Sequence, residues 1–344
     1  MNSSKPHHVA IIGTGQMGLV MADAMQQRGV RVSMWGPHQA TVDQLHAERC
    51  VAGRLEGFRL DDDVRVTSDP SVVFAEATVA LNAIPTQYIR ATWLELLPAC
   101  PPGTPIVSTA KGIENDTLLR PTEVLASLAE AEHGVRPELC VLSGPTIATE
   151  LAMRLPAALI AASTRQECAE SIQDLLDVPW IRTYTLADPI GVELAGATKN
   201  IIALAAGMAD GLGLGDNAKS MLLARGLVEI SRLGLAMGSK VETFFGIAGV
   251  GDLATTCFSP HGRNRTCGEA IGRGQSLDDF QAQGQVVVEG VSTTKSVLEL
   301  AQRHGIEMPI ATAVGSILFQ GKAPKAAIHA LMDRALGVES LQHD

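Results

Sequence analysis

The run VAIIGTGQMGLVMADAMQQRGVRVSMW, residues 9–35, begins as one apolar strand and ends as another. Val9 to Ile12 is short and wholly apolar, the pattern of a strand buried on both faces. Gly13-Thr14-Gly15-Gln16-Met17-Gly18 follows at once, Leu19 to Arg28 has helical spacing, Gly29 stops the helix, and Arg31 to Trp35 is the next strand. A GxGxxG run alone is a weak signal. Between a strand and a helix it points to a phosphate-binding turn. Gly13, Gly15 and Gly18 allow a tight turn and a close backbone approach, and the N-terminus of the helix that follows faces the phosphate charge. The second strand ends in Trp35-Gly36-Pro37-His38, with neither an acid for ribose hydroxyls nor an arginine for a 2′-phosphate, so this loop favours neither NAD nor NADP.

The same alternation continues outward. Strands are predicted at Val64 to Thr67, Thr78 to Ala83, Pro105 to Ser108, Leu139 to Leu142, Ala157 to Ala161 and Ile181 to Thr185, with helices over Gln87 to Leu97 and Gln166 to Leu176. Strand and helix in turn argue a doubly wound α/β domain. Ligands of such sheets sit outside the carboxyl ends of the strands. Lys111, in Thr109-Ala110-Lys111-Gly112, therefore stands where it meets a cofactor or an anion, or is an ordinary solvated lysine. Ser143-Gly144-Pro145-Thr146 makes a second strand-to-helix turn with free backbone donors, or a simple cap by Thr146.

Near residue 187 the pattern changes to helical spacing alone. DPIGVELAGATKNIIALAAGMADGLGLG, Asp188 to Gly215, reads as a long helix of small apolar residues with Lys199 in its middle and Asn200 after it. A lysine there either snorkels to water or is held for chemistry with a lowered pKa. Further helices are predicted over Asn217 to Gly234, Ser292 to His304 and Pro309 to Phe319. Gly246 to Asp252, GIAGVGD, reads as a glycine-rich loop. Gly262-Arg263-Asn264-Arg265 offers a guanidinium fork for phosphate or carboxylate, or a solvated helix face. The expected organisation is a Rossmann-type domain over 1–187 and an all-helical domain over 188–344.

Length and composition agree with two globular domains: 344 residues, 46% hydrophobic and 19% charged. A formal net charge of -10 makes nucleic acid and anionic membrane poor partners, and 3% aromatics supply few stacking platforms. The six cysteines show no spacing that suggests zinc and fit a reducing, cytoplasmic setting. No secretory signal or membrane-spanning run is expected.

Taken together, GTGQMG, TAKGIE at 109–114, SGPTIATELA at 143–152, GVELAGATKN at 191–200, GVGDLATTC at 249–257, GRNR at 262–265 and GQVVVEG at 284–290 resemble the NAD(P)-dependent glycerol-3-phosphate dehydrogenases, in order and over about residues 8 to 335. The resemblance implies a Rossmann-type domain and an all-helical domain, and NAD or NADP as cofactor. Its substrate pair is dihydroxyacetone phosphate and sn-glycerol 3-phosphate, and its pathway role is supplying phospholipid synthesis. It implies Lys199 as proton acceptor. Lys111, Gly144, Thr146, Asp252, Gly262, Arg263 and Asn264 would line the substrate with Lys199. Gln16, Met17, Lys111, Ala148, Arg263, Val287 and Glu289 would touch the cofactor. Members often dimerise, so a homodimer is expected. The chain departs from many relatives at Gln16 and Met17, where Ser and an aromatic are common, at Gly262, where Ser is common, and at Pro37, where a basic residue is common.

On this reading Lys111 and Arg263 hold the phosphate and lower the Lys199 pKa by like-charge repulsion, while Asp252 and Asn264 orient Lys199 and the hydroxyls. A β-hydroxyacid dehydrogenase, which takes a carboxylate, is the competing enzyme. A silent dinucleotide sensor is the competing non-enzyme, and it would need no proton acceptor.

Overall fold

The computed structural model describes residues 8–282 and 287–334. Residues 284–286 of the GQVVVEG run lie outside them. The chain divides into two compact units, residues 1–110 with 121–189, and residues 111–120 with 190–344. The expected boundary at 187/188 carried no sign of the excursion at 111–120.

The first unit runs β1 (His8–Ile12), α1 (Gln16–Gln27), β2 (Arg31–Trp35), α2 (Gln39–Glu48), β3 (Arg65–Thr67), α3 (Pro70–Phe74), β4 (Val79–Asn82), α4 (Ile89–Leu96), β5 (Ile106–Ser108), α5 (Pro121–His133), β6 (Leu139–Ser143), α6 (Ala148–Ala152), β7 (Ala157–Ala162), α7 (Gln166–Leu175) and β8 (Ile181–Leu186). The strands form one sheet in the order β3-β2-β1-β4-β5-β6-β7-β8. Every neighbouring pair is parallel except β6 and β7. All of β1 is buried, which is why its sequence is an unbroken apolar run. β1 lies between β2 and β4, so its carboxyl end sits where the winding reverses, the position at which such sheets bind ligands. Helix α1 starts at Gln16, three residues ahead of the apolar spacing that marks it in the sequence. Asp69 caps α3 by accepting from the Ser71 amide at 2.8 Å, with Pro70 at the first helical position.

The second unit is helical among its described residues: α8 (Pro189–Gly211), α9 (Gly215–Ala236), α10 (Val241–Phe244), α11 (Asp252–Phe258), α12 (Arg263–Gly272), α13 (Leu277–Ala282), α14 (Glu289–His304), α15 (Pro309–Gln320) and α16 (Pro324–Met332). The Rossmann-type and helical architecture expected from the sequence is the one observed. The GIAGVGD stretch is not the loop expected of it: Ile247–Gly251 forms a π-helical turn that leads directly into α11. Gly249 makes this turn possible, since a Cβ there would lie 2.0 Å from the Phe244 carbonyl oxygen.

Helix α8 is buried along nearly its whole length. It crosses α12 backbone against backbone. A Cβ on Gly207 would fall 2.0 Å from the Arg265 carbonyl oxygen, and one on Gly268 would fall 2.0 Å from that of Leu204. Gly211 and Gly272, one turn further along each helix, are in equally close contact, at 2.3 Å from Glu269 O and 2.5 Å from Met208 O. The small residues of α8 are therefore what lets a second helix approach it.

Candidate active site

In the first unit the turn after β1 has the form of a dinucleotide cradle. Gly13 has φ +122°, and a Cβ there would lie 2.8 Å from the Ala83 carbonyl oxygen. A Cβ on Gly18 would meet the Gly13 carbonyl oxygen at 2.2 Å, so α1 closes directly onto the turn. Gly15 has nothing within 4 Å of its Cβ position, which is the open side a pyrophosphate needs. Gly15 is also the N-cap of α1 and contributes no side chain to it, so the first amides of a 12-residue helix, at Gln16, Met17 and Gly18, are uncapped by any side chain. These features fit a bound NAD(P). Arg54, which sequence reasoning did not single out, donates to the Thr14 carbonyl oxygen at 2.7 Å and brings a cation to the same turn. Gly36, at the end of β2, is also close packed there: its Cβ would lie 2.8 Å from Thr14 Cγ2.

Gly144, Thr146 and Ala148 also belong to the first unit. Gly144 has φ +147°, and a Cβ would sit 2.6 Å from the Ala158 carbonyl oxygen. Glycine is required there by the crossing with β7. The Thr146 hydroxyl donates to the Gly144 carbonyl at 3.0 Å and does not cap α6, whose N-cap is Ile147.

In the second unit a buried carboxylate joins two lysines that are distant in sequence. Asp252 Oδ2 accepts from Lys111 Nζ at 2.7 Å, and Asp252 Oδ1 accepts from Lys199 Nζ. Asp252 is 1% exposed and Lys199 6%. Lys199 also donates to Thr256 Oγ1 at 2.8 Å, and that hydroxyl spends its own proton on the Asp252 main-chain carbonyl at 2.6 Å. Thr256 is one helical turn beyond Asp252 on α11, a spacing visible in the sequence but not used there. Burial draws the Lys199 pKa down from 10.5 to about 8. Asp252 works against that shift and Lys111 works with it. The like-charge repulsion expected from the sequence is thus real for Lys111 but second to desolvation. Burial would raise the pKa of Asp252, yet the two ammonium groups outweigh it and hold the carboxyl below its ordinary value.

Asn264 does not reach Lys199, contrary to the orienting role expected of it. Its Nδ2 donates to Asn200 Oδ1 at 2.9 Å and its Oδ1 accepts from the Gly290 amide at 2.9 Å. Asn200 Nδ2 in turn lies 3.5 Å from the Lys111 carbonyl. Asn200 and Asn264 are thus a buried link between α8, α12 and the start of α14. Arg263 is exposed, with Nη1 donating to the Val287 carbonyl at 3.2 Å. Burial pushes the Glu289 carboxyl above its ordinary pKa, opposed by Arg263, Lys111 and Lys199. Gly262 is the N-cap of α12 and offers no side-chain bond, and a Cβ there would come within 3.2 Å of the Thr256 carbonyl oxygen.

Such a cluster can move a proton: an amine titrating near neutrality, held by a carboxylate and a hydroxyl, beside a second cation. Comparison with known proteins agrees. Residues 8–169 match the family described as NAD-dependent glycerol-3-phosphate dehydrogenase N-terminus, and residues 188–329 match its C-terminus. The chain belongs to the NAD-dependent glycerol-3-phosphate dehydrogenase family. The glycerol-3-phosphate dehydrogenase (NAD(P)+) of Streptomyces coelicolor is 40% identical over 332 residues, covering 96% of this chain and 98% of that one. That of Chlorobium limicola is 42% identical over 328 residues, covering 95% and 98%. The crystal structure of glycerol-3-phosphate dehydrogenase from Coxiella burnetii superposes with a TM-score of 0.90 at 33% identity, covering 96% of this chain and 99% of that one. Membership of the glycerol-3-phosphate dehydrogenase family makes the chain an NAD(P)-dependent oxidoreductase. No described helix is long and apolar enough to cross a membrane.

Proposed function

We propose that the chain interconverts dihydroxyacetone phosphate and sn-glycerol 3-phosphate with NADH or NADPH, and that Lys199 carries the proton. The buried Lys111–Asp252–Lys199 cluster is the observation that supports this most directly. The first unit would hold the dinucleotide at Gly13, Gly15, Gln16, Met17 and Gly18, with Ala148, and Gly144 and Thr146 would serve the substrate. The second unit would supply Lys111, Lys199, Asp252, Gly262, Arg263 and Asn264 to the substrate, and Lys111, Arg263, Val287 and Glu289 to the cofactor.

A nicotinamide held there supplies or accepts the hydride at C2 of the substrate. The proton falls to Lys199. In the oxidation direction the neutral amine has two N–H bonds, and Asp252 Oδ1 and Thr256 Oγ1 accept both. Its lone pair then remains for the proton of the C2 hydroxyl. In the reduction direction the ammonium keeps those two bonds and gives its third proton to the developing alkoxide. A pKa of about 8 leaves both forms populated near neutral pH. Arg263 supplies a planar fork for the phosphate, and the uncapped start of α12 at Gly262 adds backbone donors. Asn264 would act on the substrate only through the Asn200 and Gly290 bonds that fix its place.

The wider setting we infer is a cytoplasmic homodimer that feeds phospholipid synthesis. The deciding test is oxidation of NADH and of NADPH, run in parallel, with dihydroxyacetone phosphate and with carboxylate ketoacids of similar size. Turnover confined to the phosphate is the expected result. Turnover confined to a carboxylate, or to neither, would overturn the assignment.

A further inference from the structure

We infer that Glu193 is a positioning residue for Lys111, acting through the guanidinium of Arg120. The inference rests on reading the lysine cluster as the active site, and it concerns how the second cation of that cluster is held in place.

Residues 111–120 pack with the second unit, although the strand before them and the helix after them belong to the first. Lys111 opens this excursion and Arg120 closes it. Between them Ile113 and Leu118 enter the core of the second unit. Asn115 Oδ1 accepts from Ser296 Oγ at 2.6 Å, and the same hydroxyl lies 3.2 Å from the Ile113 carbonyl. The two ends are held by one helix. Asn200 Nδ2 lies 3.5 Å from the Lys111 carbonyl, and Glu193 Oε2 is 2.5 Å from Arg120 Nη1. Glu193 and Asn200 are two turns apart on the same face of α8, about 10 Å along its axis. Lys199 is carried by the same helix. Helix α8 therefore bears the reacting amine and also both clamps on the loop that delivers the second amine.

The Glu193 side chain is 0% exposed and that of Arg120 11%. A buried ion pair gives little net stability compared with apolar residues of equal volume, because desolvation offsets the attraction. What it does give is one bonded arrangement of two groups that cannot be left unpaired. Here that arrangement sets the register of the excursion on α8, and with it the reach of Lys111 to Asp252 Oδ2.

The test compares the parent chain with the double variant Arg120→Met/Glu193→Leu, which removes both charges of this pair together. Three quantities are read on the same preparations: the pH profile of kcat/KM, the KM for dihydroxyacetone phosphate, and the thermal midpoint. Lys111 lowers the Lys199 pKa. Its withdrawal therefore moves the limb near pH 8 upward, and the phosphate KM rises by about 10-fold or more, the scale of one charge-assisted hydrogen bond. Asp252, Glu289 and Cys257 also interact with Lys199 and are unchanged in the variant. Arg120→Lys is the milder companion. It keeps the charge and loses the fork, and it should move both readouts in the same sense by less. A folded double variant with the parental pH limb and KM overturns the inference, whatever its thermal midpoint. If the double variant does not fold, Arg120→Lys with parental values does the same. A parent that fails to reduce dihydroxyacetone phosphate would instead defeat the proposed function.

Discussion

Lys199→Arg separates charge from proton transfer. The guanidinium stays protonated at every accessible pH and can still bond Asp252, but it has no neutral form to serve as a base. An amine with a pKa of about 8 is neutral in about one molecule in ten at pH 7, whereas at 10.5 the fraction is about one in 3,000. The lowered pKa, led by burial, therefore raises the share of active base at pH 7 by on the order of 10²-fold. The arginine variant loses all of it. Turnover in glycerol phosphate oxidation should fall by about 10²–10⁴, the usual contribution of a positioned acid or base. The assay is the initial rate of reduced nicotinamide formation across about pH 6 to 10, with cofactor affinity measured separately by fluorescence titration. In the parent, oxidation should rise with pH through about 8 and then level, because the neutral amine is required, and reduction should fall over the same range. Neither limb should survive in the variant, while cofactor affinity stays near the parental value. A variant within about tenfold of the parent, or one that keeps a limb near pH 8, would refute Lys199 as the proton carrier.

Three further outcomes follow from particular contacts. Arg263→Ala should raise the KM for dihydroxyacetone phosphate by about 10–100-fold, the scale of a bond to a charged group, and leave turnover of an unphosphorylated ketone little changed; steady-state kinetics on both substrates checks this. Gly249→Ala should cut kcat by about 10²-fold, because its Cβ would lie 2.0 Å from the Phe244 carbonyl and must displace the turn leading into Asp252. Gly251→Ala, whose nearest contact is 3.7 Å away, should be close to neutral, and equal effects at the two positions would count against the steric argument. Glu229 is buried and accepts from the Ile310 amide at 2.7 Å, and burial raises its pKa from 4.5 to about 7. The folded state thus holds this proton more tightly than the unfolded state, so stability is lost as pH rises from 4.5 through 7. Glu229→Gln should be about 1–3 kcal/mol more stable than the parent at pH 8 and equal to it near pH 4. Denaturant titrations at the two pH values check the sign.

The first unit was legible because its signals are local. A four-residue apolar run, a glycine turn and a helix stop all lie within a few residues of one another, and the buried β1 is what such a run should become. The antiparallel pairing of β6 with β7 was not legible, since nothing in either strand records its partner's direction. In the site, Lys199 and Lys111 could be named, but their meeting at one carboxylate could not. Lys111 and Asp252 are 141 residues apart, and only the excursion at 111–120 brings them together. The π-helical turn at Ile247–Gly251 was hidden for another reason. Each glycine costs about 1 kcal/mol in a helix relative to alanine, so the run reads as a loop until the Phe244 backbone demands it.

The same logic explains why the apolar helix around Lys199 is made of such small residues. A helix that only filled a core would use leucine and isoleucine throughout. Helix α8 instead carries Gly207 and Gly211 where α12 carries Gly268 and Gly272, and each would collide with the facing backbone if it bore a Cβ. The crossing so formed fixes the start of α12 relative to the middle of α8. The Asn200–Asn264 bond of 2.9 Å is one consequence. Gly290 repeats the device on α14, where a Cβ would lie 2.8 Å from both the Asn200 carbonyl and Asn264 Oδ1. Three helices are thus pinned around the residue that follows Lys199. The geometry available to the amine is set in part by positions that have no side chain, and at Gly290 an added methyl group would press directly on the Asn200 carbonyl.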